Sequence, residues 1–296
     1  MQGTIDGFSY GLVTPVVAFL MACLGSALGL RCTMRCLRTR RAWKPGGLAL
    51  GAASIGSGVW TMHFIAMTGF VVIEAPVGYD RLTTFASLVV GILMVGVGIF
   101  IVGYRASTPM ALLTGGTITG LGFATMHYLG MAGLRLDGGT IGYDTVTVAL
   151  SVLIAVIAAT GALWVVVSRR GFLASVAASL VMGAASTGMH YTAMAAVHVH
   201  LEDTVGVATG ERATELLVPM LIGPAVFLLL ASVAVVVDPL LVTGGGRKRP
   251  TGSAGGPCGH SGVPAQRIRP RPAYRDPAER TAARSPRRSP PDLHDW

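Results

Sequence analysis

The sequence has few charged residues. Only 12% of its 296 residues are Asp, Glu, Lys or Arg, whereas 52% are hydrophobic. Soluble globular domains carry about 25% charged residues, so this chain lacks the charge needed to cover a water-facing surface. The composition therefore excludes an ordinary soluble enzyme and indicates a membrane protein.

Cysteine and catalytic motifs are also scarce. The four cysteines (Cys23, Cys32, Cys36 and Cys258) do not form the pattern of a secreted disulfide scaffold. We place Cys32 and Cys36 in an arginine-rich cytoplasmic loop. They could bind a metal or sense redox state there, but the favoured interpretation is that they are incidental small apolar residues. There is no glycine-rich nucleotide loop, nucleophile elbow or carboxylate pair, so we predict that the chain is not an enzyme.

Seven apolar stretches are long enough to cross a bilayer, which takes about 20 residues. They span about 8–30, 48–73, 82–104, 110–134, 145–168, 172–199 and 216–242. The sequence before the first stretch, MQGTID, has no basic residue, which argues against a cleaved signal peptide. We therefore predict an all-α polytopic membrane protein with seven transmembrane helices in residues 1–242.

The charges of the loops predict the orientation. The basic loops follow the first, third, fifth and seventh stretches, with Arg31, Arg35, Arg38, Arg40, Arg41, Lys44, Arg105, Arg169, Arg170, Arg247, Lys248 and Arg249. Basic loops mark the cytoplasmic side of a membrane protein. The predicted topology in the inner (plasma) membrane is an N-terminus outside and a C-terminus in the cytoplasm.

Residues 243–296 form a separate segment by composition. They hold 11 basic and 4 acidic residues and are rich in glycine, proline and serine. Such a segment cannot bury enough apolar surface to offset its ordering entropy, so it is predicted to be a disordered cytoplasmic tail. Its positive charge favours the anionic inner leaflet, and we expect no nucleic-acid partner because no structured binding module accompanies it.

One motif occurs three times. The segments SGVWTMHFIAMTGF (57–70), LGFATMHYLGMAGL (121–134) and AASTGMHYTAMAAV (184–197) share Met-His-aromatic-x-small-Met, and the histidines lie 64 and 63 residues apart. Each copy falls in the second helix of a two-helix unit, which gives three parallel repeats (about 8–73, 82–134 and 145–199) plus one closing helix. Parallel repeats place the three histidines at similar depth in the membrane.

The glycines of the repeats predict how these helices pack. Gly56, Gly120 and Gly183 each lie seven residues before a motif histidine, which is about two helical turns. Small residues allow helices to approach closely in lipid. We infer that the second, fourth and sixth spans pack together around a pseudo-threefold axis.

The motif residues have the chemistry of metal ligands. A histidine and the methionine four residues later lie on one helix face, imidazole binds copper, iron, zinc or nickel, and thioether sulfur favours Cu(I). Three histidines with up to six methionines fit copper better than zinc. The competing interpretation is core packing, with methionine as a filler and each histidine hydrogen-bonded to a neighbouring helix. His198 and His200 either extend a metal path or are ordinary surface histidines.

The triple motif resembles that of the bacterial MHYT-domain family, whose members are integral-membrane sensors. The resemblance covers residues 8–242. It implies copper ligation by the motif residues Met62, His63, Met67, Met126, His127, Met131, Met189, His190 and Met194. It also implies sensing of oxygen, carbon monoxide or nitric oxide. Phe64 departs from the tyrosine of the motif, and no cyclic-di-GMP or kinase domain is recognisable after the spans, so signalling would need a separate cytoplasmic partner.

The sequence thus predicts a membrane sensor that binds copper and responds to a diatomic gas or to redox state. Two alternatives stay open. A haem-bearing redox protein would use two of the histidines as axial ligands, and a copper carrier or insertion factor would bind the metal transiently.

The predicted orientation can be tested with reporter fusions. Fusing alkaline phosphatase or green fluorescent protein after residue 242 should give fluorescence without phosphatase activity, because the basic loops hold that end in the cytoplasm. A fusion after residue 74 should give the reverse. Phosphatase activity at the first site and fluorescence at the second would contradict the assigned orientation.

Overall fold

A computed structural model of the chain describes residues 3–7, 9–38, 44–105, 108–136, 138–168, 172–201 and 211–237. The chain divides into two units, residues 1–246 and 247–296, and every described residue belongs to the first. The predicted tail, 243–296, lies outside the described residues.

The described residues contain seven long helices, close to where the apolar stretches predict them. They are α1 (Val13–Arg38), α2 (Lys44–Met67), α3 (Arg81–Arg105), α4 (Pro109–Ala132), α5 (Thr145–Ser168), α6 (Phe172–Ala195) and α7 (Ala213–Val237). The predicted all-α class is confirmed in that helices dominate the fold.

Five of these helices, α1, α2, α3, α5 and α6, are long and apolar enough to cross a membrane. α4 carries several glycines and threonines, which lower its hydropathy, and the part of α7 whose side chains the structure describes is the apolar segment Pro219–Val235. A multi-pass membrane protein is therefore supported, and the count of seven spans stays a prediction.

The outer helices have the inverted polarity expected in lipid. On α3 the exposed side chains include Phe85, Val89, Leu93 and Val97, whereas the buried face includes Thr84, Ser87, Gly91 and Gly98. Large apolar side chains therefore cover the outward face of α3, and small residues make up most of its buried face, beside Val95, Ile99 and Val102. Small residues at helix interfaces are typical of membrane proteins, where lipid solvates apolar side chains and close backbone packing holds helices together.

The first six helices form a closed ring of three helix pairs. α1 packs on α2, α3 on α4 and α5 on α6, and the pairs are joined by contacts of α2 with α3, α4 with α5 and α6 with α1. α2, α4 and α6 also contact one another inside the ring, while α7 packs on α1 and α2. The predicted packing of the three motif helices around one axis is confirmed.

The repeated glycines contact different helices from those predicted. A Cβ on Gly56 would lie 2.9 Å from the Cα of Ile92 in α3, and a Cβ on Gly120 would lie 2.5 Å from the Cα of Val156 in α5. A Cβ on Gly183 would meet the backbone and sulfur of Cys23 in α1. These glycines therefore press each motif helix against the first helix of the next repeat, not against the other motif helices. The sequence showed a shared glycine face but not which neighbour it meets.

In the part of the chain that the structure describes, seven short strands, absent from the sequence-based prediction, lie mainly in the loops that follow the motif helices. They are β1 (Ile5–Asp6), β2 (Val71–Val72), β3 (Val77–Tyr79), β4 (Leu134–Leu136), β5 (Gly139–Tyr143), β6 (Val197–Leu201) and β7 (Glu211–Arg212). β3 pairs with β4 and β7, β5 pairs with β6, and β1 pairs with β2, all antiparallel. Gly3 also donates a backbone hydrogen bond to the carbonyl of Val199. The loops of successive repeats and the N-terminal segment thus form one continuous cap, made by pairings too short to leave a sequence pattern.

The first helix is longer than predicted. α1 continues to Arg38, so Cys32 and Cys36 lie within a helix and not in the predicted arginine-rich loop. Both side chains are buried, at 7% and 9% exposure, and neither is in a disulfide. Arginine has good helix propensity, which allows the helix to extend past the apolar stretch. Burial in a helix interface favours the reading of these cysteines as small apolar residues.

Aspartates start two of the helices. The Oδ1 of Asp80 accepts hydrogen bonds from the Thr83 backbone N–H (2.8 Å) and hydroxyl (2.5 Å), before α3. The Oδ1 of Asp144 accepts the same pair of bonds from Thr147, before α5. These bonds satisfy helix N–H groups that have no intrahelical partner, and they hold the pKa of both carboxyls below its ordinary value.

The two caps make the fold acid-sensitive. Because the folded pKa of each aspartate is lowered, its stabilising effect is complete above the unfolded pKa of about 3.9 and is lost as pH falls through the folded value. The thermal midpoint in detergent should therefore drop as pH falls below about 4. A D80N/D144N variant keeps a capping oxygen without the titration, so its acid limb should be flatter. An identical pH profile for both proteins would contradict this account.

Candidate metal centre

The three motif histidines meet at one point. The Nδ1 atoms of His63 and His190 are 3.1 Å apart, those of His127 and His63 are 3.1 Å apart, and those of His190 and His127 are 3.2 Å apart. The rings stand nearly perpendicular to each other, at 77–84°. One histidine comes from each of α2, α4 and α6, so the three Nδ1 atoms form a nearly equilateral triangle on the axis of the ring.

The triangle is closed to solvent. His63, His127 and His190 are 1%, 0% and 1% exposed. Within the described residues, the three histidines are also the only group of three or more His, Cys, Asp or Glu side chains close enough to share a metal ion. The donor set is therefore three neutral nitrogen atoms in an apolar interior, without a carboxylate or a thiolate.

Hydrogen bonds cannot form along all three sides of this triangle. An imidazole nitrogen carries either one hydrogen or one lone pair in the ring plane. Among three such atoms at least two must be of the same kind, so one pair always sets hydrogen against hydrogen or lone pair against lone pair. A cation accepts all three lone pairs at once, and this donor set therefore fits a metal ion.

The outer nitrogens of two rings also lack partners. The Nε2 atoms of His63 and His127 are buried and have no hydrogen-bond partner among the described residues. A hydrogen must sit on Nε2 when the Nδ1 lone pair is directed at a cation. Both rings would then carry a buried, unsatisfied N–H, which costs stability and which nitrogen–metal bonds at Nδ1 can offset.

Gly130 gives one of these rings its space. A Cβ on Gly130 of α4 would lie 2.8 Å from the Nε2 of His63 and 3.3 Å from its Cδ2. Gly130 occupies the small position of the second motif, where the other copies have Ala66 and Ala193. The motif pattern showed that a small residue belongs here, but not that it serves a histidine of another repeat.

The six methionines predicted as ligands lie in the same helices. Met62, Met67, Met126, Met131 and Met189 are at most 2% exposed, and Met194 is partly buried. Met126 also packs outward, because a Cβ on Gly91 of α3 would be 3.1 Å from its Cγ. The structure thus brings the three histidines together, and ligation by the methionines stays a prediction.

Each motif histidine packs against the aromatic residue that follows it. The ring centroids are 4.5 Å apart for His63 and Phe64, 4.9 Å for His127 and Tyr128, and 5.0 Å for His190 and Tyr191, with edge-on geometry in all three pairs. These rings wall the triangle on the side of each helix and limit rotation of the imidazoles.

A buried serine anchors the aromatic wall in two repeats. The Tyr128 hydroxyl is 2.8 Å from the Oγ of Ser151, which itself donates to the carbonyl of Val148. For the motif of the first repeat the equivalent serine is Ser87 of α3, which accepts a 3.0 Å hydrogen bond from Trp60 Nε1. The indole replaces the hydroxyl that Phe64 lacks. Sequence reasoning missed Trp60, Ser87 and Ser151, because the partner helix is identified only by the fold.

The strand cap closes the motif end of the ring. Tyr79 of β3 is 2% exposed, its ring meets Phe64 edge-on at 6.1 Å, and burial raises the pKa of its hydroxyl. A groove of about 650 Å³ between α4 and α5 lies near Pro109 and Ser168, at the opposite end of α4 from His127. The triangle and this groove are therefore separate features.

The sequence matches the profile of the MHYT repeat, described as a bacterial signalling protein N-terminal repeat, over residues 56–115 and 120–179. The chain belongs to the MHYT family. The third copy, around His190, follows the second matched range, and the structure places it with the other two at the triangle.

Curated relatives of this MHYT chain are bacterial signalling proteins. It is 37% identical over 209 residues to the bifunctional diguanylate cyclase/cyclic di-GMP phosphodiesterase MucR of Pseudomonas aeruginosa. It is 33% identical over 216 residues to the cyclic di-GMP phosphodiesterase NbdA of the same species, and 28% identical over 203 residues to the signalling protein YkoW of Bacillus subtilis. These matches cover 68%, 66% and 65% of this chain but only 30%, 26% and 24% of the relatives. No solved structure matches the chain. Together with the apolar helices, the family supports a multi-pass protein of the inner membrane.

The space at Gly130 gives a direct test of the triangle's packing. Gly130→Ala should lower the free energy of unfolding by about 1–3 kcal/mol, the usual cost of overpacking, because its Cβ would press on the His63 ring. Gly188→Ala is the matched control, since a Cβ there meets nothing within 4 Å. Denaturant unfolding in micelles measures both, and equal stability of the two variants would show that the His63 ring is not confined as described.

Proposed function

We propose that this MHYT protein is a membrane sensor that binds copper at His63, His127 and His190 and responds to a diatomic gas or to redox state. The observation that carries the proposal is the triangle of Nδ1 atoms, 3.1–3.2 Å apart and closed to water. A buried trio of histidines without mutual hydrogen-bond complementarity is costly unless it serves a ligand.

The chemistry of the donors favours copper. Three imidazoles without a carboxylate or thiolate suit a borderline or soft cation, and thioether donors from the motif methionines would favour Cu(I) among those. Met62, Met67, Met126, Met131, Met189 and Met194 remain the proposed sulfur donors. A bound Cu(I) ion would supply an open coordination position for oxygen, carbon monoxide or nitric oxide, or an electron for oxidation.

The haem alternative receives less support from the geometry. Axial histidines of a haem stand on opposite faces of a wide macrocycle, with the iron between them. Here the ring centroids are only 4.8–5.0 Å apart in all three pairs, and the nitrogens converge from three directions. That arrangement fits a single ion in place of a porphyrin. A copper carrier or insertion factor would use the same donors. It would bind the metal transiently, whereas a sensor would retain it.

The rest of the chain orients the site and excludes water. The aromatic residues after each histidine fix the rings, and the strand cap covers them. A sensor must also have two states for which its ligand has different affinities. The closed ring gives a route for such a difference, because each motif helix contacts the first helix of the next repeat.

The relatives point to the output. MucR and NbdA are named for making or degrading cyclic di-GMP, and the shared region is the MHYT part that this chain contains. We assign the region that this chain shares with them the input role, with a cytoplasmic signalling partner as the reader of its state. The lipid bilayer is its other partner.

Copper binding is tested by elemental analysis of the full chain, purified in detergent without a polyhistidine tag and loaded with Cu(I) under anaerobic reducing conditions against a competing chelator. The parent should retain near-stoichiometric copper. The triple variant H63A/H127A/H190A should retain none at this site, because all three nitrogen donors are gone.

Two comparisons make the result interpretable. A single His127→Gln variant keeps a polar side chain in the core and should fold while binding Cu(I) more weakly, which covers the case in which the triple variant fails to fold. The H198A/H200A variant should keep its Cu(I). Iron in place of copper would support haem, and a folded parent that takes up no metal would overturn the proposal.

A further inference from the structure

Two more histidines lie side by side on the cap. His198 and His200 are alternate residues of β6, so their side chains point to the same face of the strand. Both are exposed. In contrast, Val197, which precedes His198, is 5% exposed, and Val199, which lies between the two histidines, is 2% exposed. The strand thus turns its valines inward and presents both imidazoles to the outside.

The neighbouring strand leaves room around these imidazoles. In the antiparallel register Gly142 lies opposite His198 and Thr140 lies opposite His200. A Cβ on Gly142 would still be 3.8 Å from the Cδ2 of His200 and 3.9 Å from its Nε2. No bulky side chain of β5 therefore separates the two histidines or prevents them from turning toward a common ion.

A negative charge lies beside the pair. The backbone N–H of Asp144 bonds to the carbonyl of Ala196, which places Asp144 diagonally across from His198 on the outward face. Diagonal neighbours in an antiparallel pair are within reach of long side chains. The pKa of Asp144 is lowered chiefly by its bonds from Thr147, and His198 contributes to the same shift.

The strand that carries the pair is held on both edges. β5 pairs with β6 along its length, and Gly3 donates to the Val199 carbonyl from the other side. A fixed backbone loses less entropy when two of its side chains bind one ion, which is the advantage of preorganisation. Surface histidines at random spacing lack that advantage.

We propose that His198 and His200 chelate a divalent transition-metal cation, with Cu²⁺ preferred, at an exposed site on β6 that is distinct from the buried triangle. Imidazole suits such cations, and the general order of affinities places Cu²⁺ first among them. Water completes the coordination. The carboxylate of Asp144 raises the affinity through its charge, while its Oδ1 continues to cap α5.

This site does not depend on the proposed function of the triangle. It is built from other residues on the surface of the cap, and it takes the oxidised, hydrated ion, whereas the triangle is proposed to take Cu(I) in a dry interior. The two sites can therefore fail independently.

The test is a Cu²⁺ titration of the full chain in detergent under oxidising conditions, followed by electron paramagnetic resonance. An H260A/H294A background removes the two histidines that belong neither to the triangle nor to β6. Any purification tag is chosen without histidine. This protein should bind one tight equivalent of Cu²⁺ whose spectrum shows coupling to nitrogen. Adding H198A/H200A should abolish that equivalent. Both side chains are exposed, so the size-exclusion profile and thermal midpoint should stay unchanged.

Asp144→Asn refines the result. Asparagine keeps the capping oxygen and removes the charge, so the Cu²⁺ affinity should fall by about fivefold, the effect in water of one negative charge about 8 Å from a dication. Loss of the Cu²⁺ signal in H198A/H200A with Cu(I) retention unchanged supports this proposal alone. Equal Cu²⁺ stoichiometry and affinity with and without His198 and His200 would overturn it, whatever the Cu(I) measurement shows.

Discussion

The structure depends on three imidazole nitrogens that face each other in an apolar interior. Burying polar groups whose hydrogen bonds are incomplete is costly, and here no choice of tautomers gives a hydrogen bond along all three sides of the Nδ1 triangle. The surrounding helices must therefore hold the rings in an arrangement that the rings do not favour by themselves. The aromatic residue after each histidine, and the serine that anchors it in two repeats, provide that restraint close to the rings.

The repeated glycines also restrain the positions of the histidine rings, from a longer distance. Gly56, Gly120 and Gly183 let each motif helix contact the backbone of the next repeat, and these contacts run around the whole ring. The position of one histidine is therefore set by the helix pair that contributes it and by the neighbouring pair as well. Van der Waals packing of this kind is a main source of helix association in lipid.

The sequence predicted the helices and the histidines well because both leave strong local signals. Long apolar runs locate spans, and a motif repeated at intervals of 64 and 63 residues implies equivalent positions. It failed where the answer depends on which segments become neighbours. The partners of Gly56 in α3, of Tyr128 in α5 and of His63 at Gly130 are all in other repeats, and the cap strands are two to five residues long. The predicted end of α1 was wrong because its basic residues were assigned to a loop, whereas they continue the helix to Arg38.

The pairing of Gly3 with Val199 has a consequence for how the protein is made. In the sequence, Gly3 precedes the first helix of the ring and Val199 follows the sixth. The N-terminal segment therefore finds its partner only after the sixth helix has been synthesised. His63 and His127 likewise wait for His190. Contacts this distant in sequence form late, so the newly made repeats must remain together in the bilayer as an open, incomplete assembly until the last one arrives. Insertion of α6 is therefore the step that completes the histidine triangle, and the strands that follow it, β6 and β7, complete the cap.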